Sequence, residues 1–150
     1  MKPSARRLRV YAFDPSLDTQ LETAMINQVV IDVPWEPLDD GSALTPGPTG
    51  EYLEVVDVDP ASRCMYAPVD LNDPNLLAQD GLAPSEGNPR FHQQMVYAVA
   101  MVTIGHFEKA LGRKVLWSHR YPRRGRTVRE EFVKRLRVLP SRHSRGECVL

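Results

Sequence analysis

Eight basic residues crowd one short stretch of the chain: Arg120, Arg123, Arg124, Arg126, Arg129, Lys134, Arg135 and Arg137. Guanidinium and ammonium groups at that density could grip phosphate or carboxylate oxygens, and Trp117 and Tyr121 could add stacking. The same charges also serve as a solvated face that neutralises an acidic remainder. Residues 1–111 hold 16 Asp and Glu against 7 Lys and Arg, and residues 112–150 hold 3 against 12, so the parts carry −9 and +9 within a neutral whole. The anion-binding set read from this pattern is Arg120, Arg123, Arg124, Arg126, Arg129, Lys134 and Arg135. No nucleic-acid-binding fold signature accompanies it, so acidic partners are favoured over nucleic acid.

Other side chains with catalytic potential are scattered. His92 and His106 fall on one expected helix, but fourteen residues at 1.5 Å each put them about 21 Å apart, too far to share a metal. There is no His-x-x-x-His, no His-x-His and no closely spaced cysteine pair, which argues against a zinc site within this chain. Asp57, Asp59, Asp70, Asn72 and Asp73 are oxygen-rich and could attract calcium, although Asp and Asn in such positions ordinarily shape turns. No Gly-rich phosphate loop and no Gly-x-Ser-x-Gly elbow is present. Cys64 and Cys148 form neither a disulfide framework nor a zinc pattern, and reduced thiols in the cytoplasm are the expectation. The basic start, Met1 to Arg7, is not followed by an apolar run of signal-peptide length.

The element that must position these groups runs from Asn88 to Gly112. Asn88 can cap a helix, Pro89 suits its first position, and Gly112 can close it, with Lys109 and Arg113 near the negative end of the dipole. Met95 to Ile104 is apolar nearly all round, which predicts a helix without a solvent face, buried by neighbours on every side. Its apolar length is about ten residues against the roughly twenty needed to cross a bilayer.

Ahead of the helix, alternation over Leu8 to Phe13 predicts a first strand ended by Asp14-Pro15, then a weak helical stretch over Leu17 to Met25. Val29 to Val33 predicts a second strand stopped by Pro34 and Pro37, before a loop over residues 37–50. Glu51 to Val58 reads as the best strand, with Arg63 to Ala67 returning as its hairpin partner across Asp59 to Ser62. Pro68 to Gly87 reads as irregular. Beyond the helix come a short apolar run, Val115 to Trp117, a basic loop over Arg120 to Arg129, and a strand within Phe132 to Leu139. Thirteen prolines favour turns and extended segments over several helices. The fold class expected is α+β: N-terminal antiparallel strands and a hairpin, one long buried helix, then a short C-terminal strand.

Three segments carry a family resemblance: Arg7-Leu8-Arg9-Val10-Tyr11-Ala12-Phe13-Asp14-Pro15-Ser16, Glu51-Tyr52-Leu53-Glu54-Val55-Val56-Asp57-Val58-Asp59-Pro60, and Pro89-Arg90-Phe91-His92-Gln93-Gln94-Met95-Val96-Tyr97-Ala98. Together they resemble the N-terminal region of bacterial thermolysin-like (gluzincin) zinc metallopeptidase homologues, over roughly residues 6–139. Tyr97-Ala98 and Phe107 resemble that family's long helix, and Gly112-Arg113 its end. The resemblance implies zinc-dependent peptide hydrolysis for full-length relatives, through two histidines of a His-Glu-x-x-His helix and a downstream Glu. This sequence holds no His-Glu-x-x-His. The chain by itself is therefore expected to be inactive, with no catalytic residue, no metal ligand and no cofactor of its own.

Residues 140–150 depart from the family pattern, which leads towards an Asn-Ala-aromatic-aromatic edge strand. Gly146-Glu147-Cys148-Val149-Leu150 can be written GGC GAA TGC GTA CTA, and dropping the first base gives Ala-Asn-Ala-Tyr followed by TA, the first two bases of a second Tyr codon if a pyrimidine follows. A shifted or shortened reading frame is the expectation for this tail. The functional expectation is a non-catalytic N-terminal segment of a metallopeptidase homologue. Its apolar helix would be covered by a catalytic part, or by self-association when the chain is alone. The alternative is a stand-alone module that binds acidic partners or nucleic acid through residues 113–137.

Overall fold

A computed structural model describes residues 4–16, 26–36, 44–59, 64–124, 127–128 and 130–140. The architecture is α+β. Strand β1 (Ala5–Tyr11) pairs antiparallel with β2 (Gln28–Pro34), with Leu8 opposite Ile31 and Val10 opposite Val29. Period-two alternation turns Arg6, Leu8 and Val10 to the core, while Val29 and Val30 of β2 stay exposed. β2 ends on Pro34, as expected of a proline at the end of an edge strand.

The stretch expected as one strand over Glu51 to Val58 is instead two short pieces, β3 (Leu53–Val55) and β4 (Val58–Asp59). Each has a different partner. β4 pairs antiparallel with β5 (Cys64–Met65), the expected hairpin, while β3 pairs in parallel with β8 (Leu136–Val138). A parallel pair needs a crossover, and the long helix lies in the chain between β3 and β8.

Two further elements correct the sequence reading. Within Pro68 to Gly87 lies the helix α1 (Pro74–Ala78), capped by the Asp73 side chain, which accepts from the Asn75 N–H at 2.8 Å. Part of the basic loop over Arg120 to Arg129 forms a small antiparallel pair, β6 (Arg123–Arg124) with β7 (Thr127–Val128). The weak helical stretch expected over Leu17 to Met25, the hairpin turn at 60–63 and the tail 141–150 lie outside the described residues.

The long helix, α2 (Pro89–Leu111), has its ends as expected. Asn88 Oδ1 accepts from the Arg90 N–H at 3.0 Å, and Gly112 adopts the left-handed φ of 64° that glycine tolerates best. α2 packs on β1, β2 and β3. Its buried face is Phe91, Gln93, Gln94, Tyr97, Ala98, Met101 and Ile104, a stripe at three- and four-residue spacing. The expectation that Met95 to Ile104 has no solvent face is corrected: Val99 is 44% exposed and Thr103 is open, and beyond that stretch Phe107 and Leu111 are exposed as well. No helix among the described residues is long and apolar enough to cross a membrane.

Cys64 is disulfide-bonded, which corrects the expectation of reduced thiols; the chain's other cysteine, Cys148, lies outside the described residues.

Candidate functional site

Between the end of α2 and the start of β8 the chain folds back across β3. Trp117 anchors this return by donating its indole N–H to the Tyr52 carbonyl at 3.0 Å. Tyr52 also donates its hydroxyl to Glu108 on α2 at 2.7 Å, and the Val115 N–H donates to the same carboxylate oxygen at 3.0 Å. Those hydrogen bonds, Tyr52 foremost, hold the Glu108 carboxyl below its ordinary range. Desolvation, with the Glu108 hydrogen bond second, pushes the Tyr52 phenol upward. The hinge at Tyr52 and Glu108 thus fixes where Trp117 stands.

Trp117 is shared by two adjoining clefts. One, of about 360 Å³, is walled mainly by Ile104, Phe107, Leu111, Val115, Leu116 and Trp117, with Thr103 and Arg113 also on its lining, and its surface is mostly apolar. Leu116, at 71% exposure, stands open on its rim. The other, of about 680 Å³, runs between residues 117–120 and 133–139 and contains Arg120, Arg135 and Arg137 with His119 and Glu54. Reciprocal backbone hydrogen bonds between Arg120 and Glu131, at 2.9 and 2.8 Å, hold the second cleft's two walls together. The first offers apolar area; the second offers positive charge.

The charges in the basic cleft are not equally spent. Arg137 donates Nε–H to Glu54 at 3.0 Å, and His119 Nδ1 lies 3.1 Å from Glu130. Arg135 Nε is shielded from solvent and has no hydrogen-bond partner among the described residues. Arg120 makes no ion pair among the described residues and lies open to solvent. Among the described residues the cleft therefore keeps two guanidinium groups, Arg120 and Arg135, outside any ion pair.

Of the anion-binding set read from the sequence, the structure brings Arg120 and Arg135 together. Lys134 is exposed and does not line the cleft. Arg123 and Arg124 sit on β6, and Arg126 and Arg129 lie outside the described residues. Charge neutralisation of the acidic part also operates, through Lys114–Glu51 at 2.9 Å and Arg137–Glu54. Arg137, Trp117 and Leu116 complete the surface. Sequence reasoning set Trp117 beside the charges for stacking but missed the apolar cleft that Val115, Leu116 and Trp117 form with Ile104, Phe107 and Leu111.

Asp70 and Asp73 do turn chemistry. Asp70 Oδ1 accepts from the Asn72 N–H, Asn72 receives Arg6 at 2.6 Å, and Asp73 caps α1. Among the described residues no three His, Cys, Asp or Glu side chains gather in a group that could hold a metal. The zinc implied by the resemblance finds no fitting donor set there, and no hydrolytic step follows from these residues. His92 is half-buried and His106 exposed, near opposite ends of α2.

A second polar cluster lies under the first half of α2 and was not foreseen. Tyr97 donates to Glu36 Oε2 at 3.1 Å, which also accepts from the Glu51 N–H at 3.2 Å. Arg6 is buried with its guanidinium 4.0 Å from the Trp35 ring centroid. Burial pushes the Glu36 carboxyl up and the Arg6 guanidinium down. Gln94 accepts from the Leu82 N–H and donates to the Arg9 and Leu82 carbonyls. These groups hold the fold rather than face solvent. No protein-family model, curated protein or solved structure matches this chain.

Proposed function

We propose that this chain is a non-catalytic docking module, the N-terminal scaffold of a thermolysin-like metallopeptidase architecture. It holds a partner polypeptide that presents apolar and acidic side chains together. The observation that carries the reading is the shared wall at Trp117, which joins an apolar cleft to a basic one. An exposed apolar patch rimmed by charge marks a protein–protein contact more often than a small-molecule site. Arg and Trp are the residue types that most often anchor such contacts. The three segments that resemble the metallopeptidase family supply the partner's identity in this reading: the zinc-binding catalytic part, which would perform hydrolysis.

The test is a fluorescence titration of the chain with a synthetic peptide built of alternating Leu and Glu pairs. Polyglutamate and a single-stranded oligonucleotide serve as charge-only probes. The docking reading predicts that the Leu-Glu peptide binds at least tenfold tighter than either probe, about 1.4 kcal/mol. Equal or tighter binding of the oligonucleotide, with a steep salt dependence, would favour the nucleic-acid alternative.

A further inference from the structure

The cleft beneath the β4–β5 pair holds a buried carboxylate that the fold leaves half unused. Asp57 is 3% exposed and lines a cleft of about 200 Å³, together with Val55, Val56, Met65, Tyr66 and Gln93. Its Oδ2 accepts one long hydrogen bond, from Gln93 Nε2 at 3.4 Å. Its Oδ1 has no hydrogen-bond partner among the described residues. No Lys or Arg lines the cleft, and Asp57 makes no ion pair among the described residues.

Gln93 cannot supply more. Its Nε2 already donates to Asp57 and to the Ala67 carbonyl at 3.2 Å, and its Oε1 accepts from the Val69 N–H at 2.8 Å. An amide offers two donors, and both are committed. The other carboxylate in the cleft, Glu54, is paired with Arg137. A buried carboxylate without a matching donor is costly, and a ligand bringing a positive N–H group removes that cost.

The shape of the deficit selects the ligand class. One free oxygen, with its twin already engaged, does not match the two-pronged fork of a guanidinium. A calcium ion would ask for six or more oxygen ligands, which one free carboxylate oxygen does not approach. A primary ammonium is a compact donor that one oxygen can receive, and its alkyl stem would lie against Val55, Met65 and Tyr66. The volume equals about seven waters at roughly 30 Å³ each, room for a short alkyl chain and little else.

We propose that the Asp57 cleft is a binding site for a primary alkylammonium group, either a free amine or the end of a lysine side chain. The site meets the basic cleft only at Glu54, whose carboxylate is already paired with Arg137, and the docking reading does not rest on Asp57, so the outcome here leaves that reading untouched.

The experiment follows amide and side-chain NMR signals around Gln93 and Tyr66 in the full chain. The probes, at constant ionic strength, are n-butylammonium, Nα-acetyl-lysine methylamide and n-propylguanidinium. Saturable shifts with butylammonium in the millimolar range, at least tenfold weaker with propylguanidinium, are the expected result. Binding of the lysine analogue as tightly as butylammonium assigns the site to lysine side chains; butylammonium alone assigns it to free amines. Asp57→Asn, isosteric at the carboxylate, should lower affinity at least tenfold. Should that variant fail to fold, Met65→Trp, at an exposed position of the cleft wall, should block entry instead. No saturable shift in the native chain, or unchanged binding in a folded Asp57→Asn or Met65→Trp variant, overturns the proposal.

Discussion

The two halves of α2 are made of similar residues and live in different worlds. Its first half, Phe91 to Ala98, is locked down by packing and by side chains that serve as connectors: Gln93 to Ala67 and Val69, Gln94 to Arg9 and Leu82, Tyr97 to Glu36. Its second half touches the core through Met101 and Ile104, while Val99, Phe107 and Leu111 stay open. Apolar content does not separate the halves. What separates them is where the polar ties sit: Gln93, Gln94 and Tyr97 tie the first half to the core from buried positions, whereas the second half is tied at Glu108, by Tyr52 and Val115, near its exposed end. The anchored half stabilises the fold, and the open half is available for contact.

That contrast can be broken most visibly where the two halves meet. Tyr97→Ala should cost about 3–5 kcal/mol, because it removes a fully buried ring and the donor to Glu36. Val99→Ala, two residues away, should cost less than about 0.5 kcal/mol. Urea unfolding of both variants measures the gap, and equal losses would erase the distinction.

Gln94→Leu comes next in size. It strips partners from the Leu82 N–H and from the Leu82 and Arg9 carbonyls, and about 2–3 kcal/mol should be lost in the same assay. Gly81→Ala should act through the same contact, since a Cβ there would lie 2.7 Å from Gln94 Oε1 and Gly81 holds φ at +81°. Its cost should be about 1 kcal/mol or more.

The anchored half should also report on pH. Burial raises the Glu36 carboxyl above its ordinary 4.5, so the folded state binds a proton more readily than the unfolded one. The Glu36 contribution is then largest below the ordinary value and declines as pH rises through the raised folded value. Comparing native chain and Glu36→Gln by urea unfolding across this window should show the native chain losing ground as pH increases. A difference that grows with pH would contradict it. In the open half, Phe107→Ser should leave stability within about 0.5 kcal/mol. It should reduce concentration-dependent self-association in sedimentation velocity, the smallest of these effects on the fold.

Much of this was legible in the residues themselves. Asn88, Pro89 and Gly112 marked both ends of α2, because caps are local chemistry written at fixed positions. β1, β2 and the β4–β5 hairpin followed from alternation and turn residues. The break between β3 and β4 was not legible, since Glu51 to Val58 is uniformly strand-forming and its division depends on two partners distant in sequence. α1 was hidden because five residues carry too little periodicity to outweigh the surrounding Asp, Asn and Pro. Burial of Arg6, Gln93 and Gln94 was hidden for another reason. Polar residues on a core face are justified only by tertiary partners, although the spacing of Gln94, Tyr97, Ala98, Met101 and Ile104 does trace the buried stripe. At the candidate site, composition located the basic stretch, but only the fold shows that Arg120 and Arg135 share a cleft with Trp117.

The central claim is that the apolar and basic clefts act as one docking surface through Trp117. The most direct measurement is calorimetric binding of the Leu-Glu peptide to the native chain, Phe107→Ser, Arg135→Ala and the double variant at two salt concentrations. One surface predicts that each single change weakens the same ligand severalfold, and that only variants retaining Arg135 keep the full salt dependence. Peptide binding indifferent to Phe107→Ser, or to Arg135→Ala, would contradict it.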